Sequence, residues 1–344
     1  MNTEKKYRFA SMKNLLRSAI AFCLFSITFG CSTDFDVIAP YKEVIVINGL
    51  LDPLDSVNYV RVTKAFLGEG NVYQMAQVAD SSYYADILDV KLERWYAGGF
   101  EDSVTMVRTT EIDRDSGAFS YPFQILYKTN VPILQDGSEY RIVVTNKQTG
   151  EKAYSKTKIV RDVHVNSPTP SDSIDLVSSY PAPTIVNFDA GANSAFVDMI
   201  IRFHYRDIDP NGVSTEKYVD WNFEDKDLSS SVVPYKFYKY NFFQMLGTNI
   251  PVRPGYTRRC DSLTLAKFPF EYILIAGSED LQTYIQLNTP TSGVVQDRPM
   301  FTTVQNGLGL FSSRVLHSEY RFPNHNTQLS FDTISYVRDL NFEF

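Results

Sequence analysis

Cysteine, histidine and tryptophan are scarce in this chain, with three Cys, four His and two Trp among 344 residues. Cys23 and Cys31 fall within or at the end of an apolar N-terminal stretch, and Cys260 stands alone in the remainder. A cysteine-rich zinc centre is therefore excluded, and no disulfide can form within residues 32–344. His164, His204, His317 and His325 are dispersed, without a His-Glu-x-x-His segment or any pair at ligand spacing, which argues against zinc. A Gly-x-Ser-x-Gly elbow, a phosphate loop and a Gly-x-Gly-x-x-Gly turn are all missing. Asp and Glu are spread too evenly for one pair to stand out as a glycosidase dyad. These absences point away from catalysis. Cys260, in Tyr256-Thr-Arg-Arg-Cys-Asp-Ser262, has two arginines beside it but no neighbouring His, and reads as a small packed residue. No internal repeat of about 20 to 50 residues is visible, which argues against solenoids and propellers.

Basic residues are in deficit, 33 against 40 acidic, and five of them lie in the first 30 positions. Met12 to Cys31 has the form of a signal peptide. Lys13 and Arg17 supply the positive end, and Ala19 to Phe29 an apolar stretch shorter than the roughly 20 residues that a membrane-spanning helix needs. Met12 is the expected start; the eleven residues before it are either an over-extended reading frame or a longer basic region. The stretch ends in Thr28-Phe29-Gly30-Cys31, which resembles the lipobox of bacterial lipoproteins, with Thr28 where an aliphatic residue is usual. That resemblance implies a signal peptide over 1–30, lipidation of Cys31 on its thiol and new amine, and a tether over 31–42. At ~0.8 kcal/mol per buried methylene, more than one acyl chain makes such an anchor stable. Within the tether, Ser32-Thr-Asp-Phe-Asp36 is similar to the export tag of Bacteroidota surface lipoproteins, although a plain solvated linker explains the same residues. Without residues 1–30 the chain keeps 28 basic and 39 acidic residues, a net charge of −11. Such a surface repels nucleic acid and anionic lipid, leaving the acyl chains to hold the protein to a membrane.

From Glu43 onward the hydrophobic period is two, and this predicts an all-β fold. Glu43–Gly49 is a β-branched run ended by Asn48-Gly49, and Val57–Thr63 alternates after an Asp52-Pro-Leu-Asp55 turn, so the two form a hairpin. Asp86–Tyr96 places Leu88, Val90 and Leu92 on one face, and Gly98-Gly99 turns the chain into Ser103–Thr109. Ala118–Lys128, Glu139–Thr145 and, beyond Asn146–Gly150, Lys152–Val160 continue the series. Short strands at this spacing describe a sandwich of immunoglobulin, fibronectin or transthyretin type over residues 43–163. Residues 164–174, rich in Pro and Ser, read as a linker, and residues 175–344 as a second β-rich domain. Its expected strands are Ser194–Tyr205, Glu216–Asn222, Tyr235–Phe243, Leu263–Lys267, Arg314–Phe322 and Thr327–Tyr336, with one helix near 279–288 capped by Ser278.

Asp297-Arg-Pro-Met-Phe-Thr-Thr-Val-Gln-Asn-Gly-Leu-Gly-Leu-Phe311, with the lipobox, Asn48-Gly49 and the preceding helix, resembles a Bacteroidota outer-membrane lipoprotein family catalogued as a domain of unknown function. In that family a β-sandwich follows the lipobox. Its genes often sit beside outer-membrane TonB-dependent receptors, which implies an accessory or ligand-capturing partner of such a transporter. The family more often has glycines where this chain has Ser312-Ser313. The expected location is the outer membrane, at the cell surface, with a periplasm-facing placement as the other option. A structural or adhesive surface module without a transport role is the alternative. Physically, Asn306, Gly307, Leu308 and Gly309 form a turn that admits close backbone approach, with a fold role or a partner contact both open.

Two further motifs invite binding. Asp207, Asp209 and Asn211, in Asp207-Ile-Asp-Pro-Asn-Gly212, match the opening of a calcium loop, but Tyr218 stands where the closing acid belongs, and a strand-connecting turn explains the same residues. Tyr235, Phe237, Tyr238 and Tyr240 lie in a run with rings on both faces of a strand, suited to a glycan or receptor loop if one face is exposed, or to a buried strand. No cofactor other than this calcium candidate is expected.

Overall fold

Glu43 opens directly into the predicted hairpin. In the computed structural model, which describes residues 43–65, 71–129, 134–177, 181–224, 226–228, 233–260, 269–289 and 300–344, β1 (Val44–Leu51) pairs antiparallel with β2 (Tyr59–Ala65). Cys31, the leader, the tether and the run Leu263–Lys267 lie outside the described residues. The turn is tied reciprocally: Asp52 N–H donates to Asn58 Oδ1 (2.7 Å) and Asn58 Nδ2 donates to the Asp52 carbonyl (3.1 Å). β1 does not stop at Asn48-Gly49. Gly49 is an interior position whose missing side chain makes room for Val60 and Phe311, so the Asn-Gly pair marks close packing and not a strand end.

β3 (Leu88–Tyr96), β4 (Gly99–Thr105), β7 (Glu139–Asn146) and β8 (Lys152–Lys158) form a four-stranded antiparallel sheet in the order β4-β3-β7-β8. Ala97 and Gly98, at φ 48° and 84°, make the two-residue turn of the first hairpin. The short β5 (Val107–Thr109) and β6 (Leu126–Lys128) join the other sheet beside β2. Of the expected strand Ala118–Lys128 only this last part pairs. The rest is a loop seated on two short helices, Val72–Ala76 and Ala79–Ser82, through Ser120 N–H to the Ala76 carbonyl (2.9 Å) and Gln77 Nε2 to the carbonyls of Gly117 and Ala118.

The expected linker begins as a strand, β9 (His164–Ser167), which pairs with β10 (Thr184–Asp189). β11 (Phe196–Ile208), β12 (Ser214–Asn222), β13 (Lys226–Asp227), β14 (Tyr235–Phe237), β15 (Thr257–Arg259), β16 (Phe270–Gly277), β17 (Gly307–Arg321) and β18 (Phe342–Glu343) complete the set. β14, β10 and β9 form a three-stranded sheet. The large sheet has eleven strands, with the path β18-β15-β11-β16-β17-β1-β2-β6-β5 and with β12 and β13 also pairing β11. β1 and β17 are parallel neighbours, Ile45 facing Gly307 and Gly49 facing Phe311, so one sheet runs through both halves of the sequence.

Two cores flank it. One takes Ile47, Val60 and Val62 from the large sheet and Val90, Leu92, Ile142 and Val144 from the four-stranded sheet, a sandwich-like pairing of inward faces. The other gathers around Phe203 on β11, whose ring centroid lies 5.8, 5.2, 5.5 and 5.6 Å from those of Phe242, Phe270, Phe331 and Phe342. Burying each such side chain stabilises the fold by about 1.5–3 kcal/mol.

Helices cover this second core, and here two expected strands are corrected. Tyr235–Phe243 is a strand only to Phe237; a helix follows over Lys239–Asn249 and buries Phe242, Phe243 and Leu246. Thr327–Tyr336 is replaced by the helix His325–Thr333, whose Thr327, Ser330 and Phe331 are buried at helical spacing. In both, ring-rich and β-branched composition mimics a strand while the buried positions repeat at three and four. The predicted helix forms over Glu279–Asn288. Ser278 occupies its N-cap without a capping bond, because its hydroxyl pairs with that of Ser312.

Candidate functional site

Asn306-Gly307-Leu308-Gly309 is not a free turn. Asn306, exposed and at φ 56°, precedes β17, which starts at Gly307 and runs along β1. A side chain on Gly307 or Gly309 would strike the carbonyl oxygens of Ile45 or Ile47, and Gly309 sits at φ 112°. The close backbone approach is therefore to β1 of the same chain. Leu308 is half-buried, and Leu310 and Phe311 are buried. Ser312 and Ser313 act as stitches: the Ser313 hydroxyl donates to the Leu51 carbonyl (2.9 Å) and accepts from the Val160 N–H (3.0 Å).

Asp207, Asp209 and Asn211 lie at the β11–β12 turn. Asp207 is buried among three cations, 3.0 Å from Lys217 Nζ and 3.4 Å from both Arg253 and Arg258. Asp209 Oδ1 instead accepts from the N–H groups of Asn211 (2.9 Å) and Val213 (2.8 Å), an Asx turn closed by Gly212 at φ 84°. The two carboxylates are thus engaged separately. Among the described residues no three or more His, Cys, Asp or Glu side chains gather at metal-binding distance.

The aromatic run divides at its strand-to-helix junction. Tyr235 and Phe237 are buried, packing with Phe223 and Trp221, while Tyr238 and Tyr240 are about half exposed, 49 % and 51 %. The Tyr240 hydroxyl is 2.7 Å from that of Tyr336, their rings edge to face at 5.0 Å. Of these four rings, Tyr238 and Tyr240 are the two open to a ligand or partner.

The strongest polar constellation was not legible in any local motif. β11 alternates cleanly, with Val197 to Tyr205 facing the core at odd positions and Arg202 and His204 facing away. Cross-strand register then lays Asp220, Arg202, Glu271 and Tyr320 in one row over β12, β11, β16 and β17. Arg202 grips Asp220 with two bonds of 2.7 and 2.9 Å and lies 4.1 Å over the Tyr218 ring. His204 Nε2 is 2.7 Å from Glu271 Oε2, and the Tyr320 hydroxyl donates to Glu271 Oε1 at 2.9 Å. Burial alone pushes the Glu271 carboxyl up, but bonds from His204, Tyr320 and Ser318 outweigh it and bring the group down to about 2. Burial and Glu271 together push the Tyr320 phenol up to about 12. Glu271 is thus held as a carboxylate by three hydrogen-bonding neighbours. The row is a half-buried, charge-paired face bordered by Tyr218 and Tyr320.

These sheets and faces define an all-β protein with sandwich-like packing. No protein-family model matches the chain, and no curated protein is detectably similar to it. Among the described residues no helix is long and apolar enough to cross a membrane.

Proposed function

We propose that this chain is a lipid-anchored protein of a bacterial outer membrane, facing the cell surface, and an accessory or ligand-capturing partner of a TonB-dependent transporter. The observation that carries the reading is the N-terminal run Met12–Cys31, whose basic end, short apolar stretch and Gly30-Cys31 terminus match a lipoprotein leader. The resemblance to the Bacteroidota lipoprotein family supplies the transporter. The acidic balance of the remaining chain supports attachment through acyl chains and not through basic patches. Exposed Tyr238 and Tyr240, and the Arg202–Glu271 face, are surfaces on which a partner or ligand would act.

The test is a pull-down from detergent-solubilised outer membranes through a C-terminal tag. The reading predicts an outer-membrane barrel recovered in stoichiometric amount. Recovery of the anchored chain alone, under mild detergent and low salt, contradicts the transporter role and favours the adhesive alternative.

A further inference from the structure

A cavity of about 520 Å³ lies where β1 and β2, the helix pair Val72–Ser82, the loop around Phe119 and the helix Glu279–Asn288 meet. Its volume is that of a small-molecule site. Among the described residues three cations, Arg61, Lys64 and Arg114, line it and no carboxylate does. This is unusual in a chain whose acids outnumber its bases, 40 to 33. Elsewhere Arg94, Arg141, Arg161 and Arg202 each hold an acid within 3.0 Å. Among the described residues Arg61, Lys64 and Arg114 have no acidic partner. Lys64 lies 5.9 Å from the Tyr84 ring and Arg114 4.6 Å over the Phe119 ring.

Two groups in the lining are also left unsatisfied. Arg61 Nε and Ser82 Oγ are buried without a hydrogen-bond partner, and Ser82 is 6 % exposed. An orphaned buried donor is costly, and a desolvated cation without a counter-ion more so. Burial and the nearby Arg114 together lower the Arg61 guanidinium from its ordinary value, so the two cations feel each other. Phe119 and Tyr284 also line the cavity and are partly exposed, 40 % and 36 %.

We propose that this cavity binds a small organic anion, its carboxylate or phosphate held by Arg61, Arg114 and Lys64 and its flat or ring-shaped body lying against Phe119 and Tyr284. A guanidinium fork suits either anionic group, since both present paired oxygens. Ser82 Oγ supplies a further donor. The site draws on residues from 46 to 284, so only the folded chain presents it. Binding there needs neither the membrane anchor nor a transporter.

Isothermal titration calorimetry on the full-length chain in detergent micelles tests it, with phenyl phosphate, benzoate and neutral benzyl alcohol as probes. At least one anion is expected to bind one to one, roughly tenfold or more tighter than the alcohol, and to weaken as NaCl rises. Which anion binds separates phosphate from carboxylate recognition. Arg61→Gln and Arg114→Gln should each weaken binding about tenfold, and for Arg61→Gln the melting temperature should hold or rise, because an unpaired desolvated charge is removed. Arg61→Lys keeps the charge but loses the fork, and serves if Arg61→Gln does not fold. The proposal is overturned if neither anion outbinds benzyl alcohol, or if the folded Arg61 and Arg114 variants bind as the parent does.

Discussion

Gly49 on β1 and Phe311 on β17 are register partners on parallel strands, and a Cβ added at Gly49 would stand 3.3 Å from the Phe311 ring and 2.9 Å from Val60 Cγ2. This contact fastens the first long strand of the described chain to one near its end. Gly49→Val is expected to overpack it by about 1–3 kcal/mol, lowering the melting temperature by several degrees. Gly309→Ala meets both a collision with Ile47 and an unfavourable φ, and is expected to cost at least as much. Thermal unfolding followed by circular dichroism checks both; unchanged melting would contradict the close β1–β17 approach.

Glu271 gives the fold a defined acid sensitivity. Its folded-state value, about 2, lies below the ordinary 4.5, so its bonds with His204 and Tyr320 contribute fully above pH 4.5 and are lost as pH falls toward 2. Tyr320 acts in the opposite direction: raised from 10 to about 12, it contributes below pH 10 and loses that contribution as pH rises toward 12. Glu271→Gln should cost roughly 2–3 kcal/mol at pH 7 and flatten the decline between pH 4.5 and 2. Denaturant titrations at several pH values measure this, and a Glu271→Gln protein with the parental acid profile would rule the account out.

Phe203 is the hub of the aromatic core under the two covering helices. Phe203→Ala should destabilise by about 3–5 kcal/mol and Phe203→Leu by markedly less, since the residual cavity sets the difference. Equal losses for the two would show that the site collapses without leaving a cavity.

What the sequence revealed follows from the range of its signals. The strand signals of Glu43–Gly49, Asp86–Tyr96 and Glu139–Thr145 are local; each became a strand, and Leu88, Val90 and Leu92 share a buried face as expected. The parallel pairing of β1 with β17 was illegible, because it joins segments some 260 positions apart and rests on glycines whose use appears only once the neighbour is in place. Asn324 did carry a signal: its Oδ1 accepts the Thr327 N–H at 2.8 Å, the N-cap pattern that distinguishes His325–Thr333 from a strand. The Arg202–Glu271–Tyr320 row and the Arg61–Arg114 cavity depend on register and layer packing, so no spacing in the chain could have revealed them.

Thiol chemistry separates the three cysteines. Cys260 is 1 % exposed and should resist labelling until the chain unfolds. If Cys23 leaves with the leader and Cys31 carries a thioether, the membrane-bound protein should show no reactive thiol when native and one when denatured. A freely reactive native thiol would contradict lipidation.

The most direct test is mass spectrometry of the N-terminal peptide from protein isolated in the membrane fraction. The account predicts a chain beginning at Cys31, its sulfur carrying a diacylglycerol and its amine an acyl chain, and predicts that Cys31→Ser releases the protein from the membrane. A chain that begins elsewhere, or that keeps an unmodified Cys31 while still membrane-bound, would contradict it.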